Sequence, residues 1–342
     1  MCGAGSKRGG PGAAGRRRAA GAPARRLAAA LALAVAAGAA RAEPAPAPAA
    51  PRFTQIHLAD GRAPAQAPRR IVSINMCADE LALRLARPGA LVSVTPLSRD
   101  YMGSNVAELA RRVPANRGAA EEIAALEPDL VIAGRYTTRL VKALLRRLGF
   151  TVAEFDVPGS IREARDQIRE AGALFHNHAA AEAIAARFDR LLAAPAPSGP
   201  RPTAIVLRPA GFTSSEGSLL DDMLTRAGMT NLAGGPLAGY EQLPLEFVLA
   251  AQPDILVIAG DPDQPPSMAS EILSHPALRR LAERAGVVTL PSRLWTCPGP
   301  GVLDAMALLQ EAVARWRGRA AVAAAAPALT APAAAERTGG GP

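Results

Sequence analysis

The sequence predicts an α/β protein of two similar lobes, each a mainly parallel sheet flanked by helices, joined by a long linker helix with a ligand cleft between the lobes. Three observations carry this reading. First, a segment occurs twice: Glu121-Glu122-Ile123-Ala124-Ala125-Leu126-Glu127-Pro128-Asp129 returns 125 residues later as Glu246-Phe247-Val248-Leu249-Ala250-Ala251-Gln252-Pro253-Asp254. Second, both copies run into short all-apolar stretches ending in glycine, Leu130 to Gly134 and Ile255 to Gly260. Continuous apolar runs, rather than alternating ones, are what strands covered on both faces of a parallel sheet require. Third, residues 160–194 between the copies read as helical almost throughout.

Along the chain, Phe53 to Leu58 predicts a small strand followed by a turn at Asp60-Gly61, within an otherwise disordered Pro/Ala-rich leader, 43–68. The N-terminal lobe, 69–159, opens with a buried strand at Arg70 to Ile74, a turn at Asn75 to Ala78 and a helix from Asp79 to Ala86. Strands follow at Leu91 to Val94 and Val131 to Ala133. Pro128 lacks an amide hydrogen and turns the preceding residue away from helix, so it ends one element and releases the next. A helix over Thr138 to Leu148 stops at Gly149, and Thr151 to Phe155 forms the lobe's last strand.

Ser160-Ile161-Arg162-Glu163 is a capping-box signature opening the linker region, 160–194, which is interrupted near His176-Asn177-His178. Fully helical, it would span roughly 50 Å at 1.5 Å per residue. Pro195 to Pro200 begins the C-terminal lobe, 195–318. It repeats the scheme with a strand at Ala204 to Leu207, a Gly/Ser-rich loop from Pro209 to Ser218 and a helix from Leu219 to Ala227. After the second copy of the repeat come a helix from His275 to Ala285, a strand from Val287 to Leu290 and a final helix from Val302 to Trp316. Residues 319–342, rich in Ala, Pro and Gly, read as a disordered tail.

The first 42 residues carry eight basic side chains and no acid, then an Ala/Leu stretch from Leu27 to Ala40 and a small-x-small closure at Ala40-Arg41-Ala42. That is the build of an export signal removed before Glu43, and its apolar stretch falls short of the about 20 residues a membrane span needs. Arg25-Arg26-Leu27 fits a twin-arginine signal poorly. The whole chain has 39 basic and 30 acidic residues, a net of +9, but without the signal the count is 31 against 30. The basic character therefore belongs to the signal, and nucleic-acid binding loses its support. Cys77 and Cys297 survive processing, one in each lobe. They read as two separate thiols, because a bridge would join the lobes and restrict their opening, although an oxidising compartment permits one.

No catalytic centre emerges, and neither a cofactor nor a bound metal is expected. His176-x-His178 stands apart from other ligating residues and reads as a polar helix break. The loop Gly211 to Gly217 lacks the second glycine of a dinucleotide fingerprint and the lysine of a P-loop. Ser214 and Ser215 sit in no nucleophile elbow. What remains is a set of polar and aromatic residues in loops beyond the strands: Met76, Arg99, Asp100, Tyr101, Arg135, Tyr136, Phe212, Ser214, Tyr240, Arg293 and Trp295. Ligands of open α/β sheets bind beyond the carboxyl ends of the strands, and a crevice between domains is a common pocket. All three tyrosines of the chain fall in such loops.

From Arg70-Ile71-Val72-Ser73-Ile74 with Asp79-Glu80-Leu81, through Val94-Thr95 and Asp100-Tyr101, the two Pro-Asp segments and the linker from Ser160, to His275-Pro276 and Leu290, the chain resembles the substrate-binding proteins of bacterial ABC importers. It is similar to the class with two Rossmann-like lobes joined by a rigid helix, which includes cobalamin and ferric-siderophore binders. The resemblance covers about residues 69–317. It implies a soluble, monomeric periplasmic protein that captures a metal chelate, a ferric siderophore or a corrinoid, and delivers it to an inner-membrane permease driven by a cytoplasmic ATPase. An exported ligand-binding sensor, or a haem binder with Tyr101 or Tyr136 as iron ligand, is the alternative.

In that class one glutamate on each lobe docks onto permease arginines, and by position in the repeat Glu121 and Glu246 match them. Taken singly, each is an ordinary helix-start carboxylate favoured by the helix dipole at about 0.3 to 1 kcal/mol. A cobalamin binder's tryptophan ahead of the first docking glutamate is missing, that stretch reading Pro114-Ala115-Asn116-Arg117. Arg99, Arg135 and Arg293 offer the cationic groups an anionic ferric chelate needs.

Overall fold

The computed structural model describes residues 53–59, 61, 63–234, 242–260 and 275–325, with side chains to 321. The export segment, the leader before 53, Tyr240 and the tail from 326 lie outside the described residues. Two sheets organise the rest. In the first, strands β1 (Ile56–His57), β2 (Ile71–Ser73), β3 (Leu91–Ser93), β4 (Leu130–Gly134) and β5 (Val152–Phe155) lie in the order β1-β5-β4-β2-β3, with only β1 antiparallel. In the second, β6 (Thr203–Leu207), β7 (Thr230–Asn231), β8 (Ile255–Ala259) and β9 (Gly286–Leu290) lie in the order β7-β6-β8-β9, all parallel.

The helices are α1 (Met76–Leu85), α2 (Ala107–Ala110), α3 (Ala120–Ala124), α4 (Arg139–Arg147), α5 (Ile161–Leu174), α6 (His178–Ala193), α7 (Leu219–Ala227), α8 (Leu245–Ala251), α9 (Pro276–Arg284) and α10 (Gly301–Ala325). β2 lies between β3 and β4, and β6 likewise lies between β7 and β8, so the sequence repeat is a repeat of topology.

The buried strands behave as their apolar runs demand. Ile71, Leu130, Ile132 and Ala153 face a central core, while Val72, Val131, Ala133 and Val152 face an outer one with Ile123 of α3 and Leu145 of α4. The second sheet is covered likewise, Leu256 and Ile205 meeting Val248 of α8 and Leu278 and Leu281 of α9. The central core runs without a break from one lobe into the other through Ile161, Ile168, Phe175 and Phe188 of the linker region. At about 25 cal/mol per Å² of apolar surface, such residues dominate the favourable side of folding.

The linker region departs from the single rod of the sequence reading. Helices α5 and α6 form an antiparallel hairpin, tied by Arg165 to Asp189 at 2.8 Å and by Arg169 to Glu182 and Asp189, each at 2.6 Å. The chain reverses at Phe175, His176 and Asn177, where His176 adopts φ 55° and the Asn177 side chain caps α6. The hairpin still bridges the lobes: α5 packs on α1, β1 and α7, and α6 on α1 and α10.

Two smaller departures have local causes. Helix α1 begins at Met76 rather than Asp79, because Asn75 Oδ1 accepts the amides of Cys77 (3.1 Å) and Ala78 (3.0 Å). Helix α10 continues to Ala325, into the stretch expected to be disordered, where the alanine-rich sequence favours helix.

Candidate functional site

The carboxyl ends of both sheets meet across a cleft. On the N-terminal side a cavity of about 80 Å³ is lined by Asn75 and Cys77 after β2, Gly134 to Tyr136 at the end of β4, Phe155 to Pro158 at the end of β5, and Thr296 and Pro298 from the other lobe. On the C-terminal side a space of about 370 Å³ is lined by Arg208 to Ala210 after β6, Phe212, Ala259 at the end of β8, and Ser292, Trp295 and Thr296 after β9. Thr296 lines both, so the two spaces adjoin at the boundary between the lobes and together form the cleft at the carboxyl ends of the two sheets.

The floor of the cleft is covalent. Cys77 and Cys297 form a disulfide with their Cα atoms 5.0 Å apart, joining the start of α1 to the loop after β9. This corrects the reading of two separate thiols. That loop is seated against the other lobe at further points. A methyl group on Gly299 would stand 2.6 Å from Glu80 Oε1, so only glycine lets the loop approach the buried carboxylate. Asn105 Nδ2 donates to the Arg293 carbonyl, and the Ile161 amide donates to Asp222 Oδ2 at 2.8 Å. The lobes are therefore held at a set spacing.

The expected site residues divide. Arg135 and Tyr136 stand together at the N-terminal lip. Arg135 is paired with Asp156 at 2.8 Å, whereas Tyr136 is 84% exposed. Lys142 of α4, itself buried, donates to the carbonyls of Gly134 (3.2 Å) and Arg135 (2.8 Å) and pairs with Glu154 at 2.7 Å, fixing this lip from behind. Phe212 and Trp295 both line the C-terminal half.

Met76, Asp100, Tyr101, Ser214 and Arg293 line neither cavity. Asp100 accepts the Met102 amide at 3.0 Å, Ser214 is buried with its carbonyl bonded to Asn231 Nδ2 (2.9 Å), and Met76 is the half-buried first residue of α1. Tyr101 is committed elsewhere: its hydroxyl donates to Glu108 and the Arg111 guanidinium lies 3.5 Å over its ring. The Glu108 hydrogen bond pushes its phenol up from the ordinary value, the wrong direction for an iron-binding tyrosinate. Arg99 is likewise spent on the Val113 carbonyl.

Residues not singled out by the sequence also line the cleft: Asn75, Asp156, Thr296 and, above all, Arg208. Arg208 lies one residue beyond β6, where the strand-end rule expects a binding loop without singling out which of its residues faces the ligand. Its guanidinium stacks 5.0 Å from the Trp295 ring centroid.

Outside the cleft, Glu121 and Glu246 are both exposed at the starts of α3 and α8, and neither carboxylate has a hydrogen bond or ion pair among the described residues. The neighbouring Glu122 instead accepts the Arg117 amide at 2.8 Å. Among the described residues no group of three or more His, Cys, Asp or Glu side chains is placed to hold a metal ion, and no helix is long and apolar enough to cross a membrane.

A sequence profile described as periplasmic binding protein matches residues 71–292. A cobalamin-binding protein of Halobacterium salinarum is 26% identical over 260 residues, covering 72% of this chain and 69% of that protein. Among solved structures, a periplasmic heme binding protein from Pseudomonas aeruginosa superposes with a TM-score of 0.57 at 24% identity, covering 72% of this chain and 92% of its own. The periplasmic vitamin B12 binding protein BtuF of Vibrio cholerae gives a TM-score of 0.57 at 23% identity, covering 73% and 98%. At such identities the two structures establish the fold. The profile match extends over more than half of the sequence, and the chain belongs to the periplasmic binding protein family.

Proposed function

We propose that this protein is the solute-capturing component of an ABC importer, taking a metal chelate, either a ferric siderophore or a corrinoid, and handing it to an inner-membrane permease powered by a cytoplasmic ATPase. The observation that carries the reading is the pair of adjoining spaces at the carboxyl ends of both sheets, which share Thr296 and lie beside the disulfide of Cys77. The cobalamin named for the archaeal relative and the heme and vitamin B12 named for the structural neighbours are all large metal macrocycles, which favours a ligand of that size. Arg135, Tyr136, Phe212 and Trp295 are the ligand contacts, Tyr136 offering an exposed aromatic face and the only cleft-lining phenol among the described residues. The protein acts as a soluble monomer, exported by its first 42 residues and not an enzyme.

Delivery rests on Glu121 and Glu246. Two exposed, unpaired carboxylates at equivalent places on two lobes held at fixed spacing form a two-point charged template, which steers association and sets register. The test is double. Cyanocobalamin, haemin and ferric siderophores are titrated against the protein by Trp fluorescence and thermal shift. A probe at 100 times its dissociation constant stabilises by about 2.7 kcal/mol. Glu121→Ala with Glu246→Ala is then expected to keep that affinity and abolish uptake in cells. Normal uptake by the double variant refutes the docking role, and the absence of a shift with every probe refutes capture.

A further inference from the structure

The two walls of the cleft differ in charge. On the N-terminal wall the one guanidinium, Arg135, is neutralised by Asp156 at 2.8 and 3.1 Å, and its neighbours Tyr136, Phe155, Val157 and Pro158 are largely apolar. On the C-terminal wall Arg208 is half-buried, its guanidinium lies over the Trp295 ring, and that guanidinium has no hydrogen bond or ion pair among the described residues. Among the described residues no acidic side chain lines that half of the cleft. Burial alone depresses the Arg208 pKa from its ordinary value, with no carboxylate opposing it. A cation taken partly out of water without a counter-ion is unfavourable, and the indole face offsets only a part of that. The indole Nε1 is itself buried without an acceptor. Folding has thus set two donor groups side by side, with nothing in the described chain to receive them.

We infer that Arg208, held in place by Trp295, is the anion-recognition residue of the cleft, so that the ligand presents an anionic oxygen to the C-terminal lobe and its apolar body to Tyr136. The inference rests on the reading of the chain as a chelate-capturing protein and adds both a ligand class and an orientation to it. A guanidinium offers a planar pair of N–H donors that fits a carboxylate, a phosphodiester or adjacent oxyanions of a chelate in bidentate fashion, which a lysine cannot reproduce. The same residue disfavours ligands that would leave it desolvated and unpaired, so it selects as well as binds.

The test titrates wild type, Arg208→Gln and Arg208→Lys with four probes: haemin with its propionates, cyanocobalamin with its phosphodiester, a trianionic ferric tris-catecholate, and an uncharged ferric trihydroxamate. The expected result is that at least one anion-bearing probe binds wild type, that R208Q weakens it about 10- to 100-fold, that R208K recovers only part of the loss, and that ligand-free R208Q unfolds at no lower a temperature than wild type. Which of the three anionic probes responds identifies the source of the oxyanion. Equal affinity of R208Q and wild type for every anionic probe that binds overturns the assignment. Wild type that binds only the uncharged trihydroxamate also overturns it, while leaving capture of a chelate intact. Wild type that binds none of the four overturns the capture reading itself, and the anion site with it.

Discussion

The carboxylate of Asp254 accepts both the amide hydrogen and the hydroxyl of Thr203, each at 2.8 Å, clamping the start of β8 to the start of β6. Asp129 does the same work in the other lobe, accepting the amides of Arg69 (2.7 Å) and Arg70 (3.0 Å) ahead of β2. The residues two before these aspartates, Glu127 and Gln252, share an unusual left-handed backbone with φ 46° and 44°. The Pro-Asp signature is therefore a latch: proline ends the helix and the acid fixes the register of the strand that follows. Hydrogen bonds to a charged group contribute about 1.5 to 3 kcal/mol. D254A is expected to lower stability by about 2 kcal/mol and T203V by about 1 kcal/mol. D129A should cost less than D254A, because Asp129 is exposed and water replaces it more readily. Urea unfolding followed by circular dichroism measures all three, and D254A unfolding like wild type would refute the latch.

The disulfide closes a separation of 220 residues. In the chain-entropy account a cross-link of that span restricts the unfolded state strongly, with typical stabilisation of about 2 to 4 kcal/mol. Cys77→Ser with Cys297→Ser, or reduction, should lower stability by that amount and loosen ligand binding, since the cleft floor loses its covalent tie. Mature protein isolated without reductant should show no free thiol. Two free thiols in that protein would exclude the bridge.

Much of this architecture is legible in the sequence, for identifiable reasons. The strands are visible because Leu130 to Gly134 and Ile255 to Ala259 are buried on both faces and so are written in apolar residues alone. The start of α5 is visible because Ser160 caps it and Glu163 reaches back to the Gly159 amide at 2.7 Å. The hairpin is harder, because its reversal depends on His176 at positive φ, a geometry no glycine announces. Strand β7 is only Thr230–Asn231, too short for any period. In the cleft, loop position alone does not separate Tyr136 from Tyr101. The difference lies in Glu108 and Arg111, which occupy Tyr101 from a neighbouring helical turn. Arg208 was hidden among loop residues for the same reason: only folding shows that it has no partner.

Lys142 links stability to the ligand lip. Its buried ammonium holds Glu154 and the carbonyls of Gly134 and Arg135. Removing one partner of a buried pair costs about 3 to 5 kcal/mol, discounted here because Glu154 is partly exposed and keeps Arg146 at 3.4 Å as a second cation. K142M is expected to lose about 2 to 3 kcal/mol on that basis. It should also weaken whichever probe binds, because Tyr136 follows directly on the loosened carbonyls. Urea unfolding paired with a binding titration checks both effects. Loss of stability with unchanged affinity would separate the lip from the ligand.

Asp79 supplies a pH signature. It is buried in α1, where Oδ2 accepts the Thr95 amide (2.9 Å) and hydroxyl (2.5 Å) while Oδ1 has no partner. Burial raises its pKa from 3.8 to about 6, outweighing these hydrogen bonds. The folded state therefore holds the proton more tightly than the unfolded chain. The contribution is most favourable below about pH 4, declines as the unfolded chain alone ionises, and is fully lost above about pH 6. At 1.36 kcal/mol per unit the change amounts to roughly 3 kcal/mol. Burial shifts the neighbouring Glu80 in the same direction, so wild type alone does not isolate the group. Asp79→Asn does, because it cannot ionise. The stability of D79N relative to wild type, measured by urea unfolding at pH 4, 5, 6 and 7, should rise by roughly 2 kcal/mol between pH 4 and 6 and level off by about pH 7. Parallel profiles for the two proteins would show that Asp79 ionises alike in the folded and unfolded states.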